Sequence, residues 1–391
     1  MYDAILIRYG EIGLKGANRW VFESILLQNI RMALQGLKNV SVVKRSGRIL
    51  VQTNGSQDEV LARLARVFGI VSISPVITVD SEMQDVMTAC SALVGFLRGK
   101  IKTFKVETRR AHKTFPYTSP EISRIVGGHL LRRYPALQVD VHAPDVTIYI
   151  ELRAGETYVY FDVIPGPGGL PVGASGKGLL LLSGGLDSPV AGWLAMKRGI
   201  RLSAIHFYSF PFTSERSKKK VIDLGQVLAW YNQGITLHVV NFTPIQETIM
   251  ARCPEKYRVT ILRRMMLRVA EEIAVGQRIQ CLITGESVGQ VASQTLESMS
   301  VIGSVTRVLL LRPLAGLDKT DIVAIARKIG TYEISILPYE DCCSMFVPKH
   351  PATKPKLDII VEAESKVDWE PLLREAVETV ETLDVDATWL P

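Results

Sequence analysis

The chain is poor in cysteine and has no long apolar run and no metal-type spacing. Only five cysteines occur in 391 residues, Cys90, Cys253, Cys281, Cys342 and Cys343, and no C-x-x-C pair is formed. That excludes a zinc ribbon and a thioredoxin-type centre, and no metal site is expected from protein ligands alone. The count is odd, and the opening Met1-Tyr2-Asp3-Ala4-Ile5 carries an acid early and runs straight into a strand pattern, unlike an export signal. Free thiols in a reducing, cytoplasmic setting are therefore expected. No apolar stretch approaches the roughly 18 residues of a membrane span, so no membrane segment is expected. Two common phosphate motifs are also missing. The nearest Walker A candidate, Gly176-Lys177-Gly178, has Pro171 where the first glycine belongs and Gly178 in place of the hydroxyl. The dinucleotide pattern fails as well, because Gly166-x-Gly168 is followed by Pro171 at the third glycine.

What is present is the run Leu179-Leu180-Leu181-Leu182-Ser183-Gly184-Gly185-Leu186-Asp187-Ser188. The leucines read as a buried strand, and Pro189–Lys197 reads as a helix with an apolar face. Between them lies a tight turn of glycines and hydroxyls opening a helix, which is a geometry that binds phosphate. Gly184 and Gly185 let backbone N–H groups approach an anion, and Ser183 and Ser188 add hydroxyl donors. This run resembles the PP-loop of ATP pyrophosphatases, which split ATP between the α and β phosphates. A glycine-rich turn without a ligand is the alternative.

Charge is unevenly spread over the chain. Leu357–Pro391 holds ten acids and two bases, whereas residues 1–356 hold 44 bases and 29 acids, a net of +15. A basic body of that size suits a polyanionic partner. The acidic tail reads as a solvated helix face.

The clearest boundary is Ile164–Gly178, in which nine of fifteen residues are Gly or Pro. Such a segment cannot hold a helix or an inner strand. Before it, the pattern is strand (Ala4–Tyr9), helix (Arg19–Leu37), strands (Val40–Lys44 and Arg48–Gln52), helix (Gln57–Val67) and strand (Ile70–Val79), which is the ferredoxin-like order. A second α+β block follows, with helices Met83–Leu97 and Ser119–Arg133 and strands Thr103–Arg109, Val139–Val141, Val146–Leu152 and Glu156–Val163. After the linker, strands Leu179–Leu182, Leu202–Phe207, Thr236–Asn241, Gln280–Thr284 and Val308–Arg312 alternate with helices such as Lys218–Trp230, Tyr257–Val275 and Lys319–Ile329. Several of these strands lack polar alternation, as a parallel sheet covered on both faces requires. The expected fold class is thus α/β. A doubly wound parallel-sheet domain at 179–391 follows α+β domains at 1–60 and 61–165 and a Gly/Pro linker at 166–178. Ligands are expected at the carboxyl edge of the parallel sheet.

Other residues at that edge are candidates for the same site. The second strand ends at His206 and Phe207, suited to adenine or ribose, or else to the core. The strand Gln280–Thr284 runs into a polar turn where Gly285 permits close approach and Gln294 offers an amide; a capped helix is the plainer reading. Arg263, Arg264 and Arg268 form a basic helix face able to neutralise a triphosphate, or simply a solvated one. Asp318 and Asp321 look like an N-cap, and Lys319 beside them can still reach the site. The adjacent Cys342 and Cys343 cannot form an unstrained bridge, so a thiol there is either a nucleophile or sulfur carrier, or a buried structural group. In the N-terminal half, Lys100, Lys102, Lys105, Arg109, Arg110, His112 and Lys113 interleave with Phe104, Phe115 and Tyr117, and Arg124, Arg132 and Arg133 follow on a helix. Bases with aromatics suit RNA; a solvated face is the alternative.

Together these motifs resemble the ThiI family, the tRNA 4-thiouridine synthetases, essentially end to end. RYGEIGLKGANR is similar to the family's N-terminal ferredoxin-like domain, and KVETRRAHKTFPYTSPEISRIVGGHL to its THUMP RNA-binding domain. LLLLSGGLDSPVAG, HFYSFPFTSER, TGESVGQVASQTLESM, RPLAGLDKTDI and PYEDCCSMF are similar to its PP-loop domain. The resemblance implies that ATP activates O4 of uridine 8 in tRNA as an adenylate, releasing pyrophosphate, and that a cysteine persulfide then attacks C4 and AMP leaves. By position Cys343 matches the family's catalytic cysteine, and Asp187 the PP-loop acid, which would organise Mg²⁺ or the phosphates. Leu181, Leu182, His206, Phe207, Arg263, Gly285 and Gln294 fall where the family contacts ATP. Among the interleaved bases, Lys105, Arg109, Arg110, Lys113, Arg124 and Arg132 are the expected RNA contacts. Some members carry a C-terminal rhodanese domain; only about 50 residues follow Cys343, too few for one. A separate persulfide donor such as a cysteine desulfurase is then implied, with Cys342, Cys253 or an external reductant as the resolving thiol. A homodimer, in which the THUMP domain of one subunit presents tRNA to another, fits the same picture, as does a side role in supplying thiazole sulfur for thiamine. An adenylating enzyme with another acceptor and a non-catalytic tRNA-binding protein are the competing readings.

Overall fold

The computed structural model describes residues 2–53, 57–111, 115–339 and 351–387. The chain divides into two compact units, Met1–Gly168 and Gly169–Pro391.

The first unit runs β1 (Ala4–Tyr9), α1 (Arg19–Ala33), β2 (Val40–Arg45), β3 (Arg48–Thr53), α2 (Gln57–Leu64), β4 (Ile70–Asp80), α3 (Met83–Phe96), β5 (Thr103–Arg110), α4 (Ser119–Arg133), β6 (Gln138–Val139), β7 (Val146–Leu152), β8 (Glu156–Tyr160) and β9 (Ile164–Pro165). The strands form one sheet in the order β2-β3-β1-β4-β8-β7-β5-β6, with β9 beside β4. The eleven-residue β4 joins its two halves: Ile70–Val76 pairs with β1, and Ile77–Asp80 pairs with β8. Ile5, Ile7, Ile49 and Ile73 pack beneath Leu26 and Ile30 of α1 and Val60 and Leu64 of α2. Phe104, Ile148 and Val159 pack beneath α3 and α4 through Val86, Leu93, Ile122 and Val126. Ala4, Leu6, Leu50, Val76, Tyr158 and Tyr160 form a separate cluster. β1 is therefore buried on both faces, which is why its apolar run does not alternate. Each buried isoleucine or leucine there contributes roughly 1.5–3 kcal/mol. α4 begins with a capping box in which Thr118 and Glu121 satisfy each other's backbone groups.

The second unit comprises β10 (Lys177–Leu181), α5 (Asp187–Lys197), β11 (Arg201–Tyr208), α6 (Glu215–Asn232), β12 (Ile235–Asn241), α7 (Thr243–Arg252), α8 (Arg258–Gly276), β13 (Cys281–Ile283), α9 (Leu296–Gly303), β14 (Leu309–Leu311), α10 (Lys319–Ile329), α11 (Tyr332–Ser335), α12 (Leu357–Glu364), α13 (Glu370–Glu378) and β15 (Glu381–Val385). Its sheet order is β14-β13-β10-β11-β12-β15. The first five are mutually parallel, and β15 closes the β12 edge antiparallel. From β10 the chain steps outward through β11 to β12, then returns to the other side of β10 as β13 and β14. The carboxyl ends of β10 and β13 thus flank a topological switch point, where open α/β sheets bind ligands. α5 lies close on β10 because residue 192 is glycine: a Cβ there would stand 2.7 Å from Leu180 Cδ2. α8 turns Ile261, Met265, Val269, Ile273 and their neighbours into the largest core.

The acidic tail is not merely a solvated face. Glu364 is 4% exposed and accepts from Arg264 Nε and from Arg268 Nη2 at 2.8 Å, fastening α12 to α8. The tail also supplies β15, which adds its backbone to β12. The negative charge is partly spent inside the fold on a basic helix.

Candidate functional site

A cavity of about 260 Å³ opens at the switch point. The end of β10 and the turn after it supply Leu181, Leu182 and Ser183, and the first turn of α5 supplies Asp187 and Ser188. β11 supplies His206 and Phe207; the segment after β13 supplies Thr284, Gly285 and Glu286; α8 supplies Arg263, Met266 and Leu267; Gln294 and Ile302 complete the lining.

The turn is shaped by its own hydroxyls. Ser188 Oγ accepts from the Ser183 backbone N–H at 2.9 Å and lies 3.1 Å from Ser183 Oγ. Gly185 N–H donates to Ser183 Oγ at 3.3 Å. Asp187 is the first residue of α5, so its carboxylate stands at a helix N-terminus, which favours negative charge. Its two oxygens are held separately. Lys319 Nζ lies 2.6 Å from Oδ1, and Gln290 Nε2 donates to Oδ2 at 2.9 Å. Lys319 reaches there because Asp318 caps α10, accepting from the Asp321 N–H at 2.9 Å.

His206 and Phe207 are both buried. His206 Nδ1 is 3.1 Å from the Leu182 carbonyl, which only accepts, so the ring proton there sits on Nδ1. Phe207 packs edge-on against Phe242, with centroids 4.9 Å apart. Gly285 touches the phosphate loop so closely that a Cβ would stand 2.7 Å from the Ser188 nitrogen. Gln294 is 6% exposed, and its Oε1 is buried without a hydrogen-bond partner. A buried amide oxygen left unsatisfied in a cavity wall points to a ligand donor. Arg263 donates to Glu286 Oε1 at 3.0 Å. Of Arg263, Arg264 and Arg268 on α8, only Arg263 lines the cavity, since Arg264 and Arg268 turn to Glu364.

Sequence reasoning singled out Leu181, Leu182, Ser183, Asp187, Ser188, His206, Phe207, Arg263, Gly285 and Gln294, and the fold brings all ten to one cavity. Gly184 and Gly185 lie in the same turn. Gln290 and Glu286 were missed, although both belong to the run after β13 that drew attention to Gly285. Cys342, Cys343 and Lys113 lie outside the described residues.

The basic residues of the first unit do not share one surface. Along β5, Phe104 faces α3 and α4, so Lys105 and Arg109, by alternation, face the other way. Arg109 is 74% exposed and only loosely paired with Glu107 at 3.7 Å. Arg110 turns to the helix side, where its Nη1 donates to the Tyr117 carbonyl at 2.8 Å. Arg124 and Arg132 are exposed on α4. Within the N-terminal motif Tyr9 and Arg19 are tied down, while Leu14 is exposed: Tyr9 donates to buried Glu23 at 2.5 Å, Arg19 at 2.7 Å, and Lys44 Nζ lies at 2.6 Å.

Comparison with known proteins gives three family matches in chain order. Residues 4–74 match the ThiI ferredoxin-like domain, 81–162 the THUMP domain and 173–369 the family described as thiamine biosynthesis protein (ThiI). A probable tRNA sulfurtransferase of Halothermothrix orenii is 54% identical, covering 98% of this chain and 99% of the relative. That of Moorella thermoacetica is 52% identical, covering 99% and 98%. Among solved structures, a 4-thiouridine synthetase–RNA complex with bound ATP superposes with a TM-score of 0.89 at 39% identity, covering 99% of this chain and all of that one. PH1313 from Pyrococcus horikoshii superposes with a TM-score of 0.65 at 25% identity, covering 84% and 99%. With all three segments matched in order and more than half of its residues shared with a full-length relative, this chain belongs to the ThiI family.

Proposed function

We propose that the chain is an ATP-dependent tRNA sulfurtransferase that replaces O4 of uridine 8 by sulfur, forming 4-thiouridine. The observation that carries this reading is the cavity at the switch point. It combines a hydroxyl-and-glycine turn at a helix N-terminus, the Asp187–Lys319 pair, Arg263, and a buried Gln294 amide with an oxygen to spare. Such a site suits a nucleotide triphosphate: N–H groups and cations for the phosphates, apolar walls for the base.

The chemistry follows from what the substrate lacks. O4 of uracil is a poor leaving group, so O4 attacks the α-phosphorus, the bond to the β-phosphate oxygen breaks, and pyrophosphate leaves. The terminal sulfur of a Cys343 persulfide then attacks C4, and AMP departs with the former O4. A second thiol cleaves the S–S bond, leaving sulfur on C4 and a disulfide at Cys343. Lys319 and Arg263 offset the phosphate charge, and the α5 N-terminus orients it. Mg²⁺ commonly binds through one or two carboxylates plus phosphate oxygens. Asp187 would be the residue to hold it at this site, where it would supply screening of the phosphate charge. The described thiols are poor candidates for the persulfide. Burial pushes Cys90 up to about 12 and Cys281 up to about 11, and burial and then Glu364 raise Cys253, so none is readily ionised.

The basic faces of the first unit are assigned to tRNA. No helix among the described residues is long and apolar enough to cross a membrane. The reading places the reaction in the cytoplasm with a separate persulfide donor, such as a cysteine desulfurase, and is compatible with a homodimer and with a role in thiamine sulfur supply. The test is mass analysis of unmodified tRNA incubated with the protein, ATP-Mg²⁺ and a persulfide source, beside Cys343→Ser. The expected result is one sulfur for one oxygen in wild type only, with AMP still formed by the variant. AMP and pyrophosphate without sulfur in the RNA would move the acceptor elsewhere, and tRNA binding with neither event would leave only a binding protein.

A further inference from the structure

We infer that Glu286 is a positioning residue that holds Arg263 at the nucleotide cavity, with Arg312 behind it neutralising the carboxylate so that Arg263 keeps charge for the ligand. The inference rests on the proposed ATP chemistry and adds a device to that site.

Glu286 is 6% exposed, and both its oxygens are engaged. Oε1 accepts from Arg263 Nη1 at 3.0 Å. Oε2 accepts from Arg312 Nε at 2.8 Å and from the Thr284 hydroxyl at 2.9 Å. Arg312 is itself fixed, because its Nη2 donates to the Met299 carbonyl at 3.0 Å. The clamp therefore ties the segment after β13 to α8, to the end of β14 and to α9.

The charges are not equivalent. A buried carboxylate needs one cation, and this one has two. Arg263 lines the cavity, whereas Arg312 is not among its lining residues. Among the described residues, Arg263 has no hydrogen-bond or ion-pair partner other than Glu286, so its remaining guanidinium donors are available to a ligand. With Arg312 as the backing charge, the triad presents one net positive charge to the cavity, on a side chain whose rotamer is already fixed. An arginine free to wander would have to be ordered by the nucleotide, at an entropic cost to affinity. An arginine neutralised by Glu286 alone would attract phosphate weakly.

The experiment is calorimetric titration of ATP into the wild-type chain, Arg263→Ala, Glu286→Gln, Arg312→Met and the Arg263→Ala/Glu286→Gln double variant, with thermal melts to confirm folding. Glu286→Gln and Arg312→Met are each expected to weaken ATP binding about tenfold, the size of one charge-assisted hydrogen bond. The double variant should bind no more weakly than Arg263→Ala, because Glu286 acts through Arg263. In tRNA thiolation, Glu286→Gln should raise the KM for ATP by a larger factor than it lowers kcat. Glu286→Asp should restore part of the affinity. Full ATP affinity in Glu286→Gln, or additive losses in the double variant, would overturn the clamp while leaving the ATP reading intact. If Glu286→Gln fails to fold, Arg312→Met decides alone, and unchanged affinity there overturns the proposal. A wild-type chain that binds no ATP would overturn the functional reading and this inference with it.

Discussion

Lys319 Nζ lies 2.6 Å from Asp187 Oδ1, although 132 residues separate the two in the chain. The lysine stands in the first turn of α10 and the aspartate at the first residue of α5. The pair puts a cation and an anion side by side where the triphosphate is expected to lie. Lys319→Met leaves the carboxylate facing the phosphates with only the Gln290 amide against it. A loss in kcat of about a hundredfold or more is expected, the usual size for removing one preorganised charge on a reacting phosphate. Asp187→Asn should cost a similar factor, and the double variant little more than either single one, since the two act as a unit. AMP release at saturating ATP is the measurement. A Lys319→Met enzyme within about threefold of wild type would remove the pair from the chemistry.

Gly285 makes a sharper steric prediction. A Cβ at this position would stand 2.7 Å from Ser188 N, 2.8 Å from the Asp187 carbonyl carbon and 2.9 Å from Ser188 Cα, all of them backbone. Backbone at a helix start cannot swing aside as a long side chain can. Gly285→Ala must therefore push the α5 N-terminus away from the phosphate turn, at a cost of about 1–3 kcal/mol in overpacking. ATP affinity is expected to fall more than stability does, because the displaced groups are those of the site. Paired titration of ATP and thermal melts would show it, and an unaffected affinity would mean that the loop moves without harm.

The site was legible where it is local. A strand, a polar turn and a helix following one another announce themselves by composition, so Ser183, Asp187 and Ser188 stand out without a fold. The turn after β13 repeats that pattern, which brought Gly285 and Gln294 to notice. What escaped depends on distance along the chain. Nothing in the spacing of Arg263, Arg264 and Arg268 says which of them meets the cavity; the tail decides that, by placing buried Glu364 against the other two. The same tail reads as acid-rich and exposed by composition, because the Thr382-Leu383-Asp384-Val385 alternation of β15 is too short to stand out among the acids, and its place in the sheet comes from the edge of β12. Along β5 the alternation was readable, yet it separates Arg109 from Arg110, which as neighbours in sequence looked like one patch.

That separation predicts two different outcomes from adjacent substitutions. Arg109 is exposed and loosely paired, so Arg109→Ala should weaken tRNA binding and reduce the slope of log K against log salt by about one. Arg110 holds the Phe115 and Tyr117 carbonyls, at 3.4 Å and 2.8 Å, ahead of the α4 capping box. Arg110→Ala should cost about 1–2 kcal/mol of local stability and leave the salt slope nearly unchanged. Filter binding across a salt series, with hydrogen exchange on α4, distinguishes the two. Equal changes in salt slope would mean that both arginines meet phosphate.

Glu23 ties stability to acid pH. Burial alone would raise its carboxyl, but hydrogen bonds from Lys44, Tyr9 and Arg19 outweigh burial and pull it from 4.5 down to about 2. A folded-state value below the unfolded one means that the unfolded chain binds the proton first. The stabilisation is therefore complete above the unfolded value near 4.5 and is lost progressively as pH falls toward 2. Its size is on the order of 3 kcal/mol, placed on α1 and the turn that Arg19 and Tyr9 hold. Glu23→Gln keeps the shape and removes the charge, so the variant should be less protected than wild type at neutral pH and should converge on it as the wild-type carboxyl takes its proton. Hydrogen exchange of the α1 amides in the whole chain reads this locally, without requiring both units to unfold together. A gap between wild type and variant that stays constant from about pH 7 to pH 3 would assign the effect to packing, because only an ionised Glu23 can make the difference depend on protons.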